Sequence, residues 1–289
     1  MTSRTRSGTW RTALAVPLLI ALASCGAVHR VAMRSPQRPV EFERTMTLYD
    51  HPLDLHLARP AQLQPDTPLL FYATGDGGWR GKDVESFRRL IRWGYPVAGF
   101  SAPNYLSHLG FVSGTTTPAR LARDYQRMIE FAKQTLDLPS STRTVLVGVS
   151  RGAGLAVVAA ERPELNVELA GVLAIALTKE EEYVRHYRVK PGRTPADMPT
   201  RELVEFQTYE YLDRLRELPL VVIQSTGDNY LPAPSALKLF GPDTELRRFV
   251  SIDARDHSFS DARDALYAQM ANALTWMAKR TPPGGAPSR

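Results

Sequence analysis

A serine stands between glycines in Gly148-Val149-Ser150-Arg151-Gly152, with an apolar run, Val145-Leu146-Val147, before it and a small-residue stretch, Gly152-Ala153-Gly154-Leu155-Ala156, after it. The pentapeptide fits G-x-S-x-G, which alone is a weak signal. A strand before it and a helix after it make the pattern informative, because a strained turn between the two exposes the serine hydroxyl. The flanking glycines belong to that geometry, since the turn leaves no room for side chains against the neighbouring strand and helix. The competing reading is a glycine-rich turn with no chemistry.

The rest of the chain supplies a sheet for such a turn. Apolar runs at 68–73, 95–100, 144–149, 169–176, 218–224 and 246–252 read as strands, several of them apolar on both faces as buried parallel strands require. Helical spacing at 83–92, 118–136, 152–160, 234–240 and 259–277 alternates with them, the signature of βαβ units. A charged, tyrosine-rich insertion at about 178–217 breaks the alternation; a helix is expected over 201–216, and the insertion is placed over the site as a small cap. With 43% hydrophobic residues in 289, one domain over 45–280 is expected, followed by a disordered tail at 281–289.

The first 24 residues read as a leader. Arg4, Arg6 and Arg11 precede an apolar stretch at 13–23 that is too short for a comfortable membrane span. It ends in Leu22-Ala23-Ser24-Cys25, which resembles the lipobox of bacterial lipoproteins, and Cys25 is the only cysteine in the chain. A lone thiol forms no intramolecular disulfide, so lipidation at Cys25 gives it a purpose, with an ordinary secretory signal as the alternative. Residues 25–44 then read as a tether, and the protein is expected on the periplasmic face of the cell envelope, outer membrane favoured. Of the formal charge of +6, three units leave with the leader arginines. The remaining charge, near +3, is too mild to argue for nucleic acid; it suits contact with anionic lipid, or simply scattered surface arginines.

A serine needs a base, and in this arrangement an acid and then a histidine follow it along the chain. His257, in Asp256-His257-Ser258-Phe259 after the last strand candidate, is the base by order and position. Asp228, in Ser225-Thr226-Gly227-Asp228 directly after the penultimate strand, is the favoured acid. Asp256 is the rival, although a sequence neighbour rarely presents its carboxylate to the imidazole Nδ1. An oxyanion hole would draw on the Arg151 amide and on the glycine loop Gly75-Asp76-Gly77-Gly78-Trp79, with Asp76 and Gly77 as donors. No phosphate-loop pattern, H-E-x-x-H or clustered histidine pair is present, so neither metal nor cofactor is expected.

At these residues the chain resembles a family. Phe71-Tyr72-Ala73-Thr74-Gly75-Asp76-Gly77-Gly78-Trp79 with Asp83, Gly94-Tyr95-Pro96-Val97-Ala98-Gly99, Thr117-Pro118, Asp124-Tyr125, the serine turn and the Asp256 to Phe259 segment are similar to the bacterial virulence VirJ and AcvB family, over roughly 68–275. The resemblance implies an exported α/β-hydrolase fold and, from AcvB members, hydrolysis of lysyl-phosphatidylglycerol. Arg151 replaces the aromatic residue usual after the serine, Ser258 stands where a second histidine is common, and the lipobox replaces a plain signal or a longer N-terminal domain.

The leading expectation is an ester hydrolase acting on a membrane lipid, best matched by an aminoacylated phosphatidylglycerol. A carboxylesterase for soluble esters is the first alternative. A non-catalytic accessory factor with an unknown protein partner is the second. Asp76 and Trp79 are the expected substrate contacts. Asp76 either meets an α-ammonium or supports its own loop, and Glu180, Glu181 and Glu182 either meet an ε-ammonium or form a solvated face.

Overall fold

The computed structural model describes residues 38–109, 117–184 and 203–280. The leader, Cys25, most of the tether, the middle of the insertion and the tail lie outside the described residues.

An eight-stranded sheet is assembled in the order β1-β2-β4-β3-β5-β6-β9-β10, from β1 (Val40–Leu48), β2 (His51–Arg59), β3 (Leu69–Ala73), β4 (Val97–Phe100), β5 (Thr144–Val149), β6 (Leu169–Ile175), β9 (Leu220–Ser225) and β10 (Arg247–Ile252). β1 and β2 run antiparallel to each other, β2 runs antiparallel to β4, and the remaining pairs are parallel. All five residues of β3, all seven of β6 and all six of β9 are buried, because helices cover both faces. On one face α3 (Pro118–Thr135) and α4 (Arg151–Ala160) bury Leu121, Tyr125, Met128, Leu155 and Val158. On the other, α1 (Gly81–Arg92) and α8 (Arg263–Ala278) bury Phe87, Leu90, Leu266, Met270 and Leu274. The fold is the α/β-hydrolase type, an open, mostly parallel sheet with helices on both sides.

The structure corrects the sequence reading in three places. The tether is shorter than 25–44, because β1 begins at Val40 and pairs with β2 through Val40↔Arg59 to Leu48↔His51. The turn of this hairpin is Tyr49-Asp50, both at positive φ (53° and 62°), so it lacks the Asn-Gly or Gly-Gly signal that marks such turns. The helix expected over 201–216 is not found among the described residues of that span, 203–216. Leu203–Gln207 is a strand, β8, paired antiparallel with β7 (Glu180–Val184), and only Thr208–Leu212 is helical, as α6. Pairing with a distant segment overrode the local pattern there. The last helix begins at Arg263 rather than at 259, since the intervening residues build a loop of the site. Two further helices, α2 (Ala102–Leu109) and α5 (Pro163–Asn166), and α7 (Ala233–Phe240) complete the described elements.

Candidate active site

Ser150 sits at φ 52°, ψ −117° between β5 and α4, a backbone conformation that costs a non-glycine residue about 1–3 kcal/mol. The surroundings hold it there. Ser150 N donates to Ile175 O on β6 (2.8 Å), and the helix begins at once, with Ala153 N on Ser150 O (2.8 Å). A Cβ on Gly148 would lie 2.2 Å from Gly152 O, and a Cβ on Gly152 would lie 2.3 Å from Ala73 O, so both glycines are required by backbone passing backbone.

Two loops beyond the sheet bring Asp228 to His257. After β9, Thr226 N donates to Ile252 O and Gly227 N to Ala254 O, both at 2.9 Å, and Ser225 Oγ donates to Ala254 O at 3.0 Å. This clasp ties the loop after β9 to the loop after β10. It sets His257 Nδ1 2.7 Å from Asp228 Oδ2; a carboxylate only accepts, so Nδ1 carries the hydrogen. Asp228 is 1% exposed and has further donors: Tyr230 N (2.8 Å) and Leu231 N (3.2 Å) on Oδ1, and Gln224 Nε2 (2.9 Å) on Oδ2. His257 Nε2 is buried and has no hydrogen-bond partner among the described residues. The Tyr230 ring packs edge-on to the imidazole, centroids 4.8 Å apart.

The rival carboxylate has another task. Asp256 Oδ1 accepts from Ser258 N and Ser260 N, each at 3.0 Å, and its Oδ2 accepts from Ser260 Oγ. These bonds, the Ser260 hydroxyl first, hold the Asp256 carboxyl below its usual range. Asp256 therefore shapes the loop that carries His257, while Asp228 orients the ring.

The glycine loop after β3 lies against the serine, with a Cβ on Gly75 falling 3.5 Å from Ser150 Cβ. Both backbone groups of Gly75 are engaged: its N–H donates to Asp83 Oδ1 (3.3 Å), and its carbonyl accepts from Gly78 N (3.1 Å). The N–H groups of Asp76 and Gly77, the expected oxyanion donors, have no acceptor among the described residues. Arg151 opens α4, so its N–H belongs to the partially positive end of that helix. Asp83 also accepts from Tyr72 OH (2.8 Å), and burial pushes its carboxyl above the usual range. Sequence reasoning gave no role to Asp83, Gln224 or Tyr230. A glutamine closing the apolar Leu220-Val221-Val222-Ile223 run was the one signal available for Gln224.

The two expected substrate contacts have protein partners. The Asp76 carboxylate pairs with the Arg151 guanidinium through Nε and, at 3.2 Å, through Nη2, and it accepts from no loop amide among the described residues. Trp79 is not among the residues that line the serine's cavity; it stacks on His56 with centroids 3.7 Å apart and meets Phe87 and Tyr72 edge-on. Ser150, His257, Asp76, Gly77, Arg151 and Tyr230 all line one cavity of about 810 Å³, which Thr178 to Glu180 border at the base of the insertion.

Solved structures share this fold. Est1E from Butyrivibrio proteoclasticus is 12% identical (TM-score 0.56) and covers 82% of this chain and 98% of its own. A putative dienelactone hydrolase from Klebsiella pneumoniae is 14% identical (TM-score 0.58; 83% and 99%), and the esterase domain of a Rhodothermus marinus protein is 21% identical (TM-score 0.53; 83% and 97%). No curated relative matches the chain in sequence. The family model described as bacterial virulence protein (VirJ) matches residues 66–187, from just before β3 to just beyond β7, and over that span the chain is similar to that family.

Proposed function

We propose that this protein is a serine ester hydrolase in which Ser150 is the nucleophile, His257 the general base and Asp228 the residue that orients it. The observation that carries the reading is the 2.7 Å contact between Asp228 and His257 Nδ1, which leaves Nε2 without a hydrogen-bond partner among the described residues, on a side chain that lines the same cavity as Ser150. Nε2 takes the serine proton as Oγ adds to the ester carbonyl, and the oxyanion is received by the N–H groups of Asp76, Gly77 and Arg151. Collapse expels the alcohol, which takes its proton from His257. A water activated by the same imidazole then releases the acid.

Three features support a membrane-lipid ester, with lysyl-phosphatidylglycerol as the specific candidate: the VirJ match, the lipobox ending at Cys25, and a cavity large enough for a head group. An anchor at Cys25 on the periplasmic face would raise the effective concentration of lipid substrate without adding a contact. Among the described residues no helix is long and apolar enough to cross a membrane. Two experiments test the reading. A fluorophosphonate should label the wild-type protein and not Ser150→Ala; labelling at another residue overturns the nucleophile. Vesicles containing lysyl-phosphatidylglycerol should release lysine in the presence of the protein, and hydrolysis confined to soluble esters would leave a carboxylesterase instead. Cys25→Ser should move the protein from the membrane fraction to the soluble one.

A further inference from the structure

A second cavity opens at the other edge of the sheet. The loops that enter β3, β4, β5 and β6 and the end of α8 enclose about 1000 Å³ there, whereas loops that leave the strands build the cavity of Ser150. β5 separates the two, with Arg143 before its first residue and Ser150 after its last, roughly 20 Å apart at about 3.3 Å per residue. The walls of this second cavity are largely apolar and include Leu63, Tyr95, Val145, Leu274 and Met277.

One cation in the lining has no counter-ion. Arg143 donates through Nη2 to Leu169 O, but its Nε is buried without an acceptor, and its guanidinium pairs with no carboxylate among the described residues. The two carboxylates of the lining lie elsewhere: Glu168 accepts from Gln126 Nε2 (2.9 Å) and pairs with Lys133 Nζ (3.5 Å), and Asp66 is exposed. Burial lowers the pKa of the Arg143 guanidinium from its ordinary value, and no carboxylate opposes that shift. The group stays charged all the same. A half-buried charge without a partner is costly, and an anion brought to it gains more than it would at a solvated arginine.

We propose that this cavity binds an amphiphilic monocarboxylate, with its carboxylate on Arg143 and its hydrocarbon chain along Val145, Leu274 and Met277. One uncompensated charge calls for a monoanion, a planar guanidinium edge suits a planar carboxylate, and apolar walls favour burial of a chain. The volume lies at the top of the range of about 300–1,000 Å³ typical of small-molecule sites. The site is independent of the chemistry assigned to Ser150.

Decanoate, decanol and acetate are titrated into the full chain by calorimetry, below the micelle concentration and at about 0.15 M salt, where exposed charges more than about 8 Å apart are largely screened. Decanoate should bind, decanol about tenfold more weakly and acetate not measurably, because head group and chain both contribute. Arg143→Gln should weaken decanoate about tenfold and leave decanol unchanged. That substitution also removes the bond to Leu169 O, so Val167, 71% exposed in the lining, supplies a second pair of variants that spares the fold. Val167→Glu should weaken decanoate a few-fold, and Val167→Lys should strengthen it. Absence of decanoate binding, equal affinity for decanoate and decanol, no loss in Arg143→Gln, or Val167 variants that change nothing overturns the site. Loss of binding in Tyr230→Ala with Val167→Glu unaffected places the ligand in the Ser150 cavity and overturns it as well.

Discussion

Two loop systems meet at Ser150, and they are built differently. The loops after β9 and β10 are locked to each other by backbone hydrogen bonds and present a buried carboxylate with four donors. The loop after β3 is held mainly from below, by Asp83 and by Trp79, while its outer side chains, Asp76 and Arg80, are exposed. The first arrangement suits proton transfer, which needs one fixed geometry. The second suits recognition, where exposed charges respond to salt and to the ligand that covers them.

The largest effects are therefore expected on the locked side. His257→Ala and Ser150→Ala should each lower ester turnover by about 10³-fold or more, and the double variant should be little worse, because the residues act as a unit. Asp228→Asn should follow with a loss of about 10²–10⁴-fold, while Asp256→Asn stays within about tenfold; initial rates that reverse this order would reassign the acid.

Glycine substitutions sharpen the contrast through stability. A Cβ on Gly227 would lie 2.5 Å from Arg255 O and 2.6 Å from Ala254 O, so Gly227→Ala should destabilise the fold by about 1–3 kcal/mol and damage activity. On the other loop, the nearest atom to a Gly77 Cβ is Arg80 Nε at 3.9 Å. Gly77→Ala should then change stability by no more than about 0.5 kcal/mol in denaturant titration. Equal losses in the two would show the loops to be equally rigid.

A smaller effect is expected at the Asp76–Arg151 pair, which is partly exposed and worth about 0–1 kcal/mol. Asp76→Asn and Arg151→Gln should each change neutral-ester kcat/KM only a few-fold, and a double-mutant cycle should show coupling between them. If Asp76→Asn instead harms a lysyl ester alone, the carboxylate exchanges Arg151 for the substrate ammonium.

The smallest effect is pH-dependent. Burial against Trp79 lowers the His56 pKa from its usual 6.5, with Glu43, at 3.2 Å, opposing the shift. Neutral His56 therefore adds stability above that value, and the contribution is lost as pH falls through the lower folded pKa. His56→Gln should shrink the drop in Tm between about pH 7.5 and pH 5. An unchanged drop would place the acid sensitivity elsewhere.

Much of this was legible in the chain. The serine turn, the parallel strands around it and the order of Ser150, Asp228 and His257 along the chain follow from local pattern, because a buried strand and a tight turn each restrict which residues they tolerate. The hairpin β1–β2 was missed because Tyr49-Asp50 reaches positive φ without a glycine, although Leu53, Leu55 and Leu57 alternate as a half-buried strand should. β8 was misread because its partner, β7, lies some twenty residues earlier, and only the pairing chooses between strand and helix.

By itself, then, the sequence determined what must be satisfied locally: glycines at 148 and 152, a serine at the turn, an aspartate after the penultimate strand. Tertiary structure decided what each carboxylate is for. Asp228, Asp256 and Asp76 stand in glycine- or serine-rich loops and Asp83 in the first turn of α1, yet one orients the imidazole, one folds the histidine loop, one clasps an arginine and one holds the loop beneath the serine. A carboxylate's role is set by the donors within about 3 Å of it, and for Asp228 and Asp76 the deciding donors, His257 and Arg151, lie 29 and 75 residues away along the chain.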